Sequence, residues 1–160
     1  MLRFKLTILT CILMALVIPY TDRLAVSDIS PWYTHYLYII GHASWLHYAV
    51  NAWSLLVMHN LFCWYRVLAS YLSAIVISYT LLPAQPMVGA SVITCFFFGF
   101  YSLYMWRKDK LGVVMTLALL VLTCILPGFA GIPHVAAYTL GFCFSFAERK
   151  VWHMVAYLKF

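Results

Sequence analysis

Charge is what this chain has least of. Asp, Glu, Lys and Arg together make up 9% of its 160 residues, and only four of these are acids. A domain of this size with a water-facing surface needs far more charge. With 66% of its residues hydrophobic and a mean hydropathy of +0.94, the chain holds more apolar residues than one core could hide. The composition therefore implies an outer surface that faces lipid.

Other absences narrow the reading. No C-x-x-C or comparable spacing links Cys11, Cys63, Cys95, Cys124 and Cys143, which argues against a metal site and leaves them as small apolar residues. No linker, low-complexity stretch or internal repeat divides the sequence, so a single domain over 1–160 is expected. The paired intramembrane acids and repeat halves of a carrier are missing too. Arg3 and Lys5 precede the apolar run Leu6 to Ile18, but no small-x-small cleavage site follows, so the run reads as a retained first span rather than a removed signal. The net charge of +6 lies at the ends of apolar runs rather than along one face, which excludes nucleic acid as a partner.

Prolines, glycines and charges punctuate six apolar segments, at about 4–19, 45–62, 66–82, 91–106, 111–126 and 133–147. These predict an all-α, polytopic membrane protein built as a bundle of six transmembrane helices. The aromatic stretch Trp32 to Tyr38 and the tail Val151 to Phe160 are expected at the membrane interface. With six spans, Arg3, Lys5, Arg66, Arg107, Lys108, Lys110, Arg149, Lys150 and Lys159 share one side and only Arg23 takes the other. That asymmetry predicts cytoplasmic termini, with Asp28 and Gln85 outside. The small size and lack of appended domains suggest a bacterial inner membrane. The spans are short, about 24 Å for sixteen residues against a hydrocarbon layer near 30 Å. Some helices are therefore expected to start below the surface, and the Pro-rich segment Pro83 to Ala90 fits such a start before Ser91.

Polar groups inside a bilayer are costly and mark functional sites. They gather here at three helix starts: Gly41 to Asn51, Gly89-Ala90-Ser91 and Pro133-His134. His47 and Asn51 are four apart and share one helical face. In a six-span chain these three starts lie at one depth. Below Ser91 stand Cys95 and Gly99, and below His134 stand Ala137, Gly141 and Ser145. Such stripes of small residues let membrane helices approach closely, and facing stripes would bring His134 to Ser91. A serine attacks a carbonyl only if a base takes its proton, and a neutral histidine can do that. The positive end of a helix dipole keeps such a histidine neutral. The backbone N–H of Ser91 and the side chains of His47 and Asn51 could serve as oxyanion donors. His35, His59 and His153 are read as non-catalytic.

These residues together resemble the rhomboid family of intramembrane serine proteases. His42, His47 and Asn51 match that family's His-x4-His-x3-Asn, Gly89-Ala90-Ser91 matches its Gly-x-Ser, and His134, Ala137 and Gly141 match its His followed by small residues at +3 and +7. The likeness covers nearly the whole chain. It implies a Ser91–His134 dyad without an acidic third member, an oxyanion hole that includes His47 and Asn51, and structural roles for His42, Gly89, Ala137 and Gly141. It also implies an active site toward the outer face, no cofactor or metal, and transmembrane segments of other proteins as substrates. Val92 stands where the family has glycine, Cys95 where many members have tyrosine, and Trp32-Tyr33 where Trp-Arg is usual. The alternative that these departures raise is an inactive relative that binds membrane clients without cutting them.

Overall fold

The stretch after Gly89-Ala90 carries Phe96, Phe97 and Phe100 beside Cys95 and Gly99. Its mixture of bulky aromatics and small residues suits a helix packed on every side. In the computed structural model, which describes residues 2–81, 86–125 and 130–157, it forms such a helix at the centre of the molecule. Seven α-helices occur among the described residues: α1 Leu2–Val17, α2 Thr34–Leu37, α3 Trp45–Val57, α4 Trp64–Thr80, α5 Ser91–Met105, α6 Lys110–Ile125 and α7 Gly131–Tyr157. A 3₁₀ segment, Ile18–Arg23, continues α1, with Pro19 near its start supplying the fixed φ that suits a first turn.

The chain is all-α, but the expected six-span polytopic bundle is overturned. Among the described residues, only the 22-residue stretch Leu2–Arg23, whose most apolar 18 residues have a mean hydropathy of 1.9, is long and apolar enough to cross a membrane. Ser91–Met105 and Lys110–Ile125 are apolar but shorter, α3 has 13 residues and α4 has 17. Four of the apolar runs form helices of about their own length, 15 to 17 residues, which falls short of a full crossing except where Ile18–Arg23 extends α1, and one loses residues to turns. The run at 45–62 becomes a helix ending at Val57 and a 3₁₀ turn at His59–Leu61. The reach of α7 comes from its charged continuation past Ala147 to Tyr157, so the expected interfacial tail is largely helix. The sides assigned by counting six crossings lose that basis. Of the aromatic stretch, Trp32, Tyr33 and Tyr36 are exposed, whereas Tyr38 is fully buried and its hydroxyl donates to the Ala74 carbonyl at 2.9 Å. Pro83 to Gln85, Pro127-Gly128 and Lys159 lie outside the described residues.

The tightest packing joins α5 to α7. A Cβ added at Gly99 would collide with the Tyr138 carbonyl, and one at Gly141 with the Phe96 carbonyl. The two helices thus meet backbone to backbone, as small-residue stripes permit. On α7 the stripe His134, Ala137, Gly141 and Ser145 is buried, and on α5 so are Cys95 and Gly99. A second tie, farther along α7, joins it to α4. The Arg66 guanidinium donates to both Glu148 oxygens at 2.6 and 3.0 Å, the Tyr65 hydroxyl donates to Glu148 at 2.6 Å, and Arg66 caps the Leu61 carbonyl at 3.0 Å. The guanidinium also lies over the Phe100 ring at 4.4 Å. Such a planar, bidentate pair fixes orientation as well as charge. Arg3 reaches the Asn60 carbonyl and Arg149 the Leu103 and Tyr104 carbonyls, so these cations gather at the end of the bundle remote from Ser91.

Two outcomes follow from this packing. Gly141→Leu should drive α5 and α7 apart and lower stability by about 3 kcal/mol or more, read as thermal unfolding in mild detergent. Gly112→Leu should cost clearly less, because its new Cβ would meet only the Asp109 and Tyr101 side chains, which can move. The second outcome concerns acid. Burial pushes the Glu148 carboxyl up, but Arg66 and the Tyr65 hydroxyl outweigh it and hold the group below its ordinary value of 4.5. A carboxyl depressed on folding adds stability above its unfolded pKa and loses it as pH falls through the folded one. Wild-type stability should therefore decline as pH falls below about 4.5. Glu148→Gln should be less stable at neutral pH and show a shallower acid decline, the remainder coming from Asp109, which Tyr101 and the Gly112 N–H also hold below its ordinary value.

Candidate active site

Ser91 and His134 are 43 residues apart in sequence and meet at a helix–helix contact. His134 Nε2 lies 2.8 Å from Ser91 Oγ. Ser91 is the first residue of α5 and is half-buried; His134 stands in the first turn of α7 and is 4% exposed. Pro133, fully buried beside it, suits a first turn, where a missing N–H costs nothing. The Gly99–Gly141 crossing sets the spacing of the two helices, and their starts inherit it.

For Nε2 to accept from the serine hydroxyl, the ring proton must sit on Nδ1. Among the described residues Nδ1 has no hydrogen-bond partner, so no carboxylate orients the ring. The first-turn position instead places the imidazole at the positive end of the α7 dipole, which opposes its protonation at rest. Ser91 in turn offers its backbone N–H at the start of α5, one of the donors that a helix cannot satisfy internally.

The loop before Ser91 is held by segments distant in sequence. Val26 and Met87 pair as an antiparallel bridge, with N–H···O distances of 2.8 and 2.9 Å, and the Gly89 N–H donates to the Tyr38 carbonyl at 2.8 Å. Gly89 has φ of +121°, a conformation that residues with a Cβ rarely adopt. A Cβ there would also strike the His47 imidazole, 2.6 Å from its Cε1. His47 therefore packs directly on the backbone two residues ahead of the serine.

The remaining candidates surround this point. Asn51 is buried; its Nδ2 donates to the His47 carbonyl at 3.1 Å and its Oδ1 accepts from Thr94 Oγ1 at 3.3 Å. The one Thr94 hydroxyl proton is shared between Asn51 and the Ser91 carbonyl, the latter the nearer at 2.9 Å, which links α3 to the first turn of α5. His42 is 1% exposed, with its ring edge-on to His47 at 5.2 Å and to Tyr48 at 5.6 Å. Its backbone is clasped by Thr21, whose hydroxyl accepts from the His42 N–H at 3.1 Å and donates to the His42 carbonyl at 3.0 Å. Ala137 is fully buried in a cluster with Val92, Cys95, Val26 and Met87. Val92 and Cys95 are thus part of the packed core.

Elsewhere, His35 accepts or donates a 3.1 Å bond with Ser78 and stacks on Tyr79, and His59 bonds to the Leu56 carbonyl at 2.7 Å. Neither approaches the dyad. Among the described residues no cluster of three or more His, Cys, Asp or Glu side chains could hold a metal ion. Sequence reasoning missed Thr94, Thr21 and the Val26–Met87 bridge. Thr94 lies three residues beyond Ser91 and was legible as a helical neighbour, but nothing local pairs Val26 with Met87.

Gly89→Ala combines a left-handed backbone with a collision against His47. It should leave helix content near wild type by circular dichroism, yet reduce reactivity at Ser91 by at least about tenfold, since strain of this kind costs on the order of 1–3 kcal/mol. Unchanged reactivity would show that the loop geometry does not govern the serine. No protein-family model matches the chain, and no curated protein matches it.

Proposed function

We propose that the chain is a serine endopeptidase that cleaves transmembrane segments of other membrane proteins with a Ser91–His134 dyad. The observation that carries this reading is the 2.8 Å contact of His134 Nε2 with Ser91 Oγ at the starts of two interlocked helices. His134 removes the hydroxyl proton as Ser91 Oγ attacks the scissile carbonyl. The same imidazolium then protonates the leaving amine as the C–N bond breaks. Water, deprotonated by His134, releases the acyl group and regenerates the serine. Charge develops on the carbonyl oxygen in both steps, and the Ser91 N–H, His47 and Asn51 are the donors we assign to it.

Lipid surroundings are supported by what the helices expose. Leu6, Leu9, Leu13 and Leu16 on α1, Leu72 and Val76 on α4, and Val114, Leu119, Val121 and Leu122 on α6 all face outward. Apolar surface on this scale suits a bilayer or a partner rather than water. Basic residues beside a span favour the cytoplasmic side, so we orient the Arg3 end of Leu2–Arg23, the one stretch of span length among the described residues, inward, which turns the dyad, at the other end of the molecule, toward the outer face. A helical substrate hides its carbonyls in hydrogen bonds, so a bond in a locally unwound stretch is the one cut.

Purified protein incubated in detergent with a model transmembrane substrate should yield two fragments. Ser91→Ala and His134→Ala should each abolish them, while Asn51→Ala should retain partial cleavage, with a loss of about 10²–10³ typical for one oxyanion donor. Cleavage that survives in Ser91→Ala would end the protease reading. No cleavage of any substrate by wild type would favour a client-binding role instead.

A further inference from the structure

A cleft of about 780 Å³ separates α1 from α4 and reaches inward to α5. Leu6, Met14, Val67, Leu68, Ile93 and Phe97 are among the apolar residues on its walls. The hydroxyls on its wall are already used: Thr7 donates to the Arg3 carbonyl and Thr10 to the Leu6 carbonyl, both at 2.9 Å, and Tyr71 donates to the Tyr36 carbonyl at 3.2 Å. The cleft is thus largely apolar, with the protons of these three hydroxyls turned away from it to backbone carbonyls. Its single charged lining residue is Arg3, at the start of α1.

Arg3 is exposed and among the described residues makes one long hydrogen bond, 3.4 Å to the Asn60 carbonyl, whereas Arg66 is neutralised by Glu148. A guanidinium left with free donors recognises phosphate well. Trp64, 78% exposed, stands at the same end, where an aromatic side chain suits the headgroup level of a bilayer. An apolar slot with one cation at its mouth has the form of an acyl chain joined to an anionic head.

We propose that this cleft is a binding site for an anionic phospholipid, one acyl chain lying between α1 and α4 with its phosphate at Arg3. Ala90 and Ile93, one residue before and two residues after Ser91, also line the cleft, so a chain bound there would pack against the first turn of α5. Binding itself does not depend on the protease reading.

The test uses Ser91→Ala protein in mild detergent, so that it stands apart from catalysis. Diazirine-bearing phosphatidylglycerol and phosphatidylcholine with identical acyl chains are offered separately, and crosslinked peptides are mapped. Phosphatidylglycerol should be captured several-fold better, on residues 6–14 and 64–71. Arg3→Gln should lower its capture about fivefold, to the phosphatidylcholine level, and Leu68→Trp should lower capture of both lipids by filling the cleft. Equal capture of the two lipids by the parent protein would overturn the proposal. So would a headgroup preference that survives Arg3→Gln, or crosslinks confined to other helices.

Discussion

Where α5 crosses α7, each backbone occupies the space that the other's side chain would need, and neither Gly99 nor Gly141 has one to lose. Helix axes brought this close leave little freedom for their first turns. Ser91 opens one of these helices and His134 lies in the first turn of the other, so a packing constraint in the middle of the bundle becomes a hydrogen-bond distance at its end. The Arg66–Glu148 pair holds a later part of α7 against α4. Between these two ties the long helix is fixed in both position and rotation.

Helix spacing alone does not aim a nucleophile. The approach to Ser91 runs through extended backbone pinned by Val26 and Tyr38, and through a glycine whose positive φ turns the chain into α5. His47 closes on that glycine from α3, and Thr94 ties Asn51 to the first turn. Four separate stretches of sequence therefore converge on one serine. This is the kind of support that the proposed reactivity of Ser91 would need, since a reacting group must be held within about 0.5 Å of its productive geometry.

Much of the site was legible because its signals are local. Small residues at helical spacing below Ser91 and His134 marked the faces that meet, and the polar residues at helix starts marked the end where they meet. The fold was read less well. Apolar runs were taken as spans although most are only 15 to 17 residues long, and the run at 45–62 loses its end to a turn, so the helices come out at 13 to 17 residues except for α7 and the four-residue α2. Hydropathy registers what a residue avoids, not whether its backbone is helical. The Val26–Met87 bridge and the burial of Tyr38 inside an otherwise exposed aromatic stretch depend on contacts between distant segments, which no local pattern encodes.

The central claim is that His134 activates Ser91 across the α5–α7 contact. Its most direct measurement is labelling of the folded protein with a fluorophosphonate, followed by peptide mapping. Serine is unreactive at its free pKa, so selective labelling needs both a nearby base and oxyanion donors. The account predicts modification of Ser91 alone, with Ser44, Ser54 and Ser102 untouched and labelling reduced by orders of magnitude in His134→Ala. Folded protein in which Ser91 stays unlabelled, or is labelled equally well without His134, would contradict it.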